Sequence, residues 1–353
     1  MKRNFIFALP LIYTNQQKLK FQTVISNPKE LDKDFIKNEI ESNKKVSINF
    51  SENCYSNKVL SELNNLCSKY SSDFGIRFYG HYYETFDFEI LKKIPNVKWL
   101  ETDCLTDTKN VETITELKYL EKLSFGVLDL QEKEILSSEN LKNLKELILG
   151  ETKTKALNLK YLEDYKKLKY LIIGEHTKNI DSLKYLSNLE SLKLYSIKKA
   201  SLNFINNLIN LKTLIITLGG RDNIKEIKKN NIENLEIVWV RGFSDISNIS
   251  NFKKLKTLKI EDNIKLREIV FDKELPKLKK LKILNCKNLE SISGIEKLSS
   301  LETLILGRTN LEFNDIIDSD FPKSLDYFGF FNLKTKEDDR YKKIIEAKGF
   351  RTT

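Results

Sequence analysis

Histidine, proline and glycine are scarce in this 353-residue chain, at 2, 5 and 12 residues. With only His81 and His176, there is little material for histidine-based catalysis or a multi-histidine metal site. So few glycines argue against Gly-rich phosphate loops, and neither glycine nor proline is dense enough for long flexible linkers. The four cysteines, Cys54, Cys67, Cys104 and Cys286, show no C-x-x-C pair and no metal-ligand spacing. They do not form a disulfide framework and read as reduced, mostly buried thiols, which favours a reducing compartment. No apolar run reaches the roughly 20 residues that span a bilayer. The motifs G-x-x-x-x-G-K-S/T, H-E-x-x-H, G-x-S-x-G and the EF-hand loop are all missing. The expectation is therefore no catalytic residue, no cofactor and no metal.

Charge is abundant. Sixty Lys and Arg against 50 Asp and Glu give a net charge of +10, in a chain that is 40% hydrophobic and 31% charged. That balance suits a folded, water-soluble protein. An excess of base attracts nucleic acid or anionic lipid. Here the basic residues are interleaved with Glu and Asp along the whole length, as on an ordinary solvated surface, so nucleic acid is not the expected partner. The start, Met1-Lys2-Arg3 followed by Phe5 to Ile12, has the outline of a signal peptide. Its apolar stretch is short, and Tyr13-Thr14-Asn15-Gln16-Gln17 offers no small-residue cleavage site. We read it as a strand, which favours a cytoplasmic protein, with secretion as the alternative.

At this length the chain is either two domains or one elongated repeat array, and self-similarity decides for the array. Asn188-Leu189-Glu190-Ser191-Leu192-Lys193-Leu194, Asn210-Leu211-Lys212-Thr213-Leu214-Ile215-Ile216 and Ser300-Leu301-Glu302-Thr303-Leu304-Ile305-Leu306 share the form x-L-x-x-L-x-L. Anchoring each unit on the first apolar residue of the final pair gives Ile76, Leu100, Leu123, Leu147, Leu171, Leu192, Leu214, Val238, Leu258, Leu281, Leu304 and Phe328. The mean step is about 23 residues, within the range of about 20–29 for leucine-rich repeats. Upstream, Ile180, Leu183, Leu186 and Leu189 recur every third residue before Leu192 and Leu194. A step of three passing into a step of two predicts a 3₁₀-like back segment running into a strand.

On these residues the chain resembles the leucine-rich repeat family, in its short-repeat bacterial, internalin-like branch. The resemblance implies an α/β solenoid with a curved parallel sheet on its concave face and short helices or 3₁₀ turns on its back. The family places Asn, Cys or Thr three residues beyond the L-x-L, bonding backbone of the neighbouring coil. Asn263, Cys286, Thr309 and Thr152 stand there, with His176 a substitute. Leu105, Leu128, Ile197, Gly219 and Val240 depart from the pattern, so those turns should be less regular.

We divide the chain into an N-terminal α/β cap continuous with the solenoid (1–74), the repeats (75–331), and a C-terminal capping helix and tail (332–353). A hairpin of 4–13 with 18–25 is expected in the cap. Val59, Leu60, Leu63, Leu66 and Cys67 predict a helix over 56–70, and Leu31, Phe35, Ile36 and Ile40 another before it. The 30-residue step from Val46 to Ile76 would accommodate the first of these on the back. Tyr341, Ile344 and Ile345 stripe a charged helix over 334–348.

Strand side chains alternate, so the residues beside and between the paired anchors face outward on the concave sheet. Seven of these are basic (Arg77, Lys122, Lys193, Arg241, Lys259, Lys280, Lys282) and four acidic (Glu101, Asp103, Glu146, Glu261), too even a balance for a nucleic-acid groove. The middle column contains Ile148, Ile172, Ile215 and Trp239, expected to be exposed, with Trp99, Tyr170 and Tyr195 on the flanks. An apolar patch with aromatic anchors and a charged rim has the character of a protein-binding hot spot. The expected partner-binding set is Trp99, Glu101, Ile148, Tyr170, Ile172, Lys193, Tyr195, Ile215, Trp239, Arg241, Lys259 and Lys282. Gly126, Gly150 and Gly174, which follow successive strands, would let a partner approach the backbone. Cys104 and His81, in neighbouring repeats, are the one conceivable nucleophile pair. The reading is a non-enzymatic scaffold that binds a protein partner through the concave face. A bacterial immunity or adaptor role is implied by resemblance alone. The alternatives are a secreted or surface-attached adhesin or effector, and a binder of RNA or anionic membrane surfaces.

Overall fold

A computed structural model describes residues 22–132, 134–153 and 157–352. The chain divides into two compact units, Met1–Ser182 and Leu183–Thr353. The first unit is built on seven strands: β1 (Gln22–Ser26), β2 (Lys45–Phe50), β3 (Phe74–Tyr79), β4 (Trp99–Leu105), β5 (Lys122–Val127), β6 (Glu146–Leu149) and β7 (Tyr170–Gly174). Each pairs in parallel with the next in sequence. The second unit repeats the plan with β8 (Ser191–Tyr195), β9 (Thr213–Thr217), β10 (Asn234–Val238), β11 (Thr257–Glu261), β12 (Lys280–Leu284), β13 (Thr303–Gly307) and β14 (Tyr327–Phe331).

The L-x-L pairs explain the strands of each unit. Leu214, Leu235, Leu258, Leu281 and Leu304 lie in register, one per strand, and all are fully buried. Each contributes about 1.5–3 kcal/mol by leaving water, and a single coil could not bury it alone. Parallel neighbours need a return path, here short 3₁₀ turns such as Val111–Glu116, Leu159–Asp164, Asn203–Asn207 and Ser247–Asn251. Where a back segment is longer it becomes a true helix. Helix α1 (Lys33–Glu41) lies between β1 and β2, and α2 (Asn57–Tyr70) between β2 and β3. Ser56 caps α2 by accepting from the Val59 amide, and its buried residues are the five that the spacing marked. The strand step is Ile48 to Ile76, 28 residues, rather than Val46 to Ile76, because Ile48 is the residue that pairs with Ile76. The expected hairpin strand over 4–13 and the signal-like segment lie outside the described residues, while 22–26 pairs in parallel with β2.

One further register differs. In β10 the buried pair in strand register is Leu235 and Ile237, not Val238 and Val240: Leu235 pairs with Leu214 and Leu258, Val238 is half-buried, and Val240 is buried only beyond the strand end. The alternation in Leu235-Glu236-Ile237-Val238-Trp239-Val240 supports either frame locally. The neighbouring coils select one, because a one-residue parity error would expose the whole apolar set.

Every strand of the second unit from β8 to β13 is followed by a non-glycine residue with φ between 54° and 59°: Ser196, Leu218, Trp239, Asp262, Asn285 and Arg308. Each donates its amide to the last strand residue of the next coil, at 2.7–3.0 Å. A left-handed residue costs about 1–2 kcal/mol, offset here by a backbone hydrogen bond at every level. Beyond this turn comes the family position. Buried Asn263 accepts from the Val240 amide at 3.0 Å and donates to the Ile237 and Glu261 carbonyls at 2.9 Å each. His176 does substitute, its Nε2–H donating to the Gly150 carbonyl at 2.8 Å. Of the positions where the pattern breaks, Leu105 is irregular, with β4 and β5 slipping register between Thr102 and Leu105, whereas the turns before Ile197, Gly219 and Val240 keep the common left-handed geometry.

The C-terminus closes the last edge. Helix α4 (Thr335–Ala347) follows the short α3 (Phe313–Ile317), and Tyr341 stacks on Phe313 at 4.2 Å. Arg351 then lies along β14, donating its amide to Asp326 at 2.8 Å and accepting from Phe328 at 2.9 Å.

Candidate recognition face

On the first unit the outward residues of the sheet are largely engaged with one another. Trp99, expected to be open, is only 8% exposed, because its ring lies over Gly75, where a Cβ would approach within 2.3 Å. Its indole N–H donates to Glu101 Oε1 at 3.0 Å, and the Lys122 ammonium sits 5.5 Å above the ring. Burial in the sheet, with Lys45 nearby, pulls the Lys122 amine down to about 8 against the opposing attraction of Glu146. Arg77 grips fully buried Asp103 with two hydrogen bonds, at 2.8 and 2.9 Å, and lies 3.6 Å from Glu101. This bidentate pairing turns the acidic pair inward. Ile148 and Ile172 are register partners, but Ile172 is 1% exposed rather than open. Tyr170, beside it, is half-buried. Gly126, Gly150 and Gly174 are buried against stacked backbone: a Cβ on Gly150 would meet the Gly126 Cα at 3.0 Å. They serve coil packing instead of partner access.

Cys104 and His81, the conceivable nucleophile pair, are both buried. Burial pushes the Cys104 thiol up to about 12 and the neighbouring Asp103 carboxylate adds to the shift, so it stays protonated at neutral pH. His81 is buried, with Nδ1 3.0 Å from the Tyr79 carbonyl, and burial depresses its basicity. Among the described residues no three His, Cys, Asp or Glu side chains gather as a metal site, and no helix is long and apolar enough to cross a membrane.

The second unit presents a different surface. Lys193 and Ile215 are register partners, both half-buried. Tyr195, at 5% exposure, is packed into the sheet and is not part of an open flank. Trp239 is exposed as expected, at 59%, but from the left-handed turn at the strand end and not from the middle column. That column position is taken by Glu236, opposite Ile215 and Lys259. Arg241 likewise leaves the strand for an exposed bridge with Gly220. Lys259 and Lys282 face each other directly. Lys259 has Glu261 2.5 Å away. The outward strand positions of this unit thus hold Lys193, Lys259, Lys280 and Lys282 against Glu236 and Glu261, an excess of two positive charges. The sequence missed Glu236 through the register slip alone. The residues that follow each strand in a left-handed turn were invisible to a period-two reading.

Parallel strands one per coil, 3₁₀ returns, leucine pairs in register and an Asn-type turn ladder define a leucine-rich repeat solenoid. One solved structure agrees with this fold, and others are similar to the chain. The TLR13 chain of a TLR13–ssRNA13 complex matches at TM-score 0.50 and 16% identity, over 90% of this chain and 54% of that one. An internalin of Listeria monocytogenes is similar at 16% identity, covering 94% and 79% of the two chains with TM-score 0.38. A leucine-rich repeat protein of Leptospira interrogans is similar at 19% identity, covering 93% of each with TM-score 0.42. No family model matches the sequence, and no curated protein matches it.

Proposed function

We propose that this chain is a non-enzymatic scaffold that recognises a protein partner through the open face of its sheet, the side that is concave in this fold. The observation that carries the reading is Trp239. A large indole stands 59% exposed at the strand end of β10, beside exposed Arg241 and half-buried Val238. Exposed aromatic side chains of this size, with arginine beside them, are the residue types that dominate binding hot spots. On the first unit, Trp99, Glu101 and Ile172 are engaged internally, which leaves that unit only Ile148 and Tyr170 as partly exposed surface, so the proposed contact set lies on the second unit: Lys193, Ile215, Trp239, Arg241, Lys259 and Lys282. A role in immunity or as an adaptor fits a recognition scaffold without catalytic groups, and belongs to the same proposal, as does a cytoplasmic setting for its protonated thiols.

The test is an affinity pull-down with wild type beside Trp239→Asp. The partner should be lost from the variant while its urea midpoint stays close to that of wild type, since the turn constrains backbone and not side chain. Retention of the same partner set by the variant would overturn the reading.

A further inference from the structure

We infer that the second unit's sheet face takes an acidic protein segment, with carboxylates on Lys280 and Lys282 and an apolar side chain against Trp239. The inference rests on the recognition reading above and narrows its partner to one chemistry.

Three lysines converge on β11 and β12. Lys259 and Lys282 are direct cross-strand partners, about 5 Å apart at the backbone, and Lys280 lies about 7 Å from Lys282 on the same strand and face. Like charges placed opposite each other on a sheet are destabilising. Lys259 is relieved by Glu261. Among the described residues neither Lys280 nor Lys282 has a carboxylate within salt-bridge distance. Lys282 is moreover half-buried, and burial together with Lys280 and Lys259 holds its amine below the usual lysine range. Glu236 and Glu261 offset only part of this repulsion, and two ammonium groups without an ion-pair partner next to a third leave the rest for an incoming anion to remove.

The anion is a peptide carboxylate more readily than a phosphate backbone. Glu236 and Glu261 stand on the same face, where they would repel a continuous polyanion. They leave room for separated carboxylates alternating with neutral residues. Trp239 sits two coils from Lys282 and three residues further along the strand direction, about 14 Å away. An extended chain covers that distance in about four residues. The recognised segment therefore has carboxylates at one end and a large apolar residue about four positions on.

Fluorescence anisotropy with the full chain tests this. The probes are a fluorescein-labelled decapeptide with an Asp-Glu-Asp triplet four residues before a leucine, its Asn-Gln-Asn counterpart, and a ten-nucleotide single-stranded oligouridylate. The acidic peptide should bind about tenfold more tightly than the amide peptide. Lys280→Glu with Lys282→Glu should lose about tenfold, while Lys280→Arg with Lys282→Arg stays within about threefold. Equal binding of the two peptides, indifference to the glutamate pair, no measurable binding, or tighter binding of the oligouridylate would each overturn the inference. If the acidic peptide fails while Trp239→Asp still empties the pull-down, the acidic chemistry falls and the recognition reading stands. If peptide binding follows the lysines but Trp239→Asp leaves the pull-down unchanged, the recognition reading falls.

Discussion

At the scale of single residues, the turn ladder shows how much one buried amide holds. Asn263 satisfies the Val240 N–H and two carbonyls from a position that is almost fully buried. Asn263→Ala leaves those groups without water to replace it, at a cost of about 1–3 kcal/mol. Urea denaturation measures this, and a loss under about 0.5 kcal/mol would mean that the coil relaxes to other partners. The family pattern pointed to this residue from spacing alone. It could not say that the amide serves the preceding coil, because that depends on stacking.

At the scale of elements, the ends of a parallel sheet are the exposed hazard, since an unpaired edge invites another strand. The segment Phe350–Arg351 covers the β14 edge through two backbone hydrogen bonds, while the Phe350 ring meets Phe328 at 6.2 Å and Phe321 at 5.5 Å. Truncation after Lys348 should lower Tm by several degrees, on the order of 1–2 kcal/mol, and raise light scattering on heating. A variant equally stable and monomeric would show that α4 alone caps the sheet. The helices were legible because five apolar residues of α2 follow the 3.6-residue period in sequence. The β10 register was not, because five of the six residues from Leu235 to Val240 are apolar and only Glu236 breaks the run. A period-two pattern cannot choose between frames when both are apolar; the stacked neighbour can. Outside β10 the strand parity follows the register, yet Trp99, Ile172 and Tyr195 are buried on that face. Side chains on adjacent strands, and a glycine beneath the indole, cover one another in ways that strand alternation does not encode.

At the scale of the whole molecule, the buried acids set the alkaline limit. Burial pushes Cys67 and Cys104 up to about 12 and Cys286 to about 11. An acid whose folded value is raised releases its proton first in the unfolded chain. Its stabilisation is complete below about pH 9 and is lost as pH rises toward the folded value. Lys122, pulled down to about 8, acts in the opposite sense between about pH 8 and 10.5. The three thiols, joined by Cys54 and by Tyr170, whose phenol burial raises to about 12, outnumber the lowered amines Lys122, Lys193 and Lys282, so urea stability should fall between about pH 9 and 11. Cys67→Ala isolates one contribution: its deficit relative to wild type should shrink over that interval by on the order of 2 kcal/mol. A deficit constant with pH would mean that the thiol ionises normally in the fold.

The ladder of left-handed turns carries one more implication. Ser196, Leu218, Trp239, Asp262, Asn285 and Arg308 occupy the same backbone geometry with a hydroxyl, an aliphatic chain, an indole, a carboxylate, an amide and a guanidinium. The constraint falls on the main chain, so the side chain there is an interchangeable cartridge. Exchanging these residues alters the surface at the strand ends without touching the leucine spine. On the recognition reading proposed above, single substitutions at these positions retune the contact surface while the buried leucines stay in place.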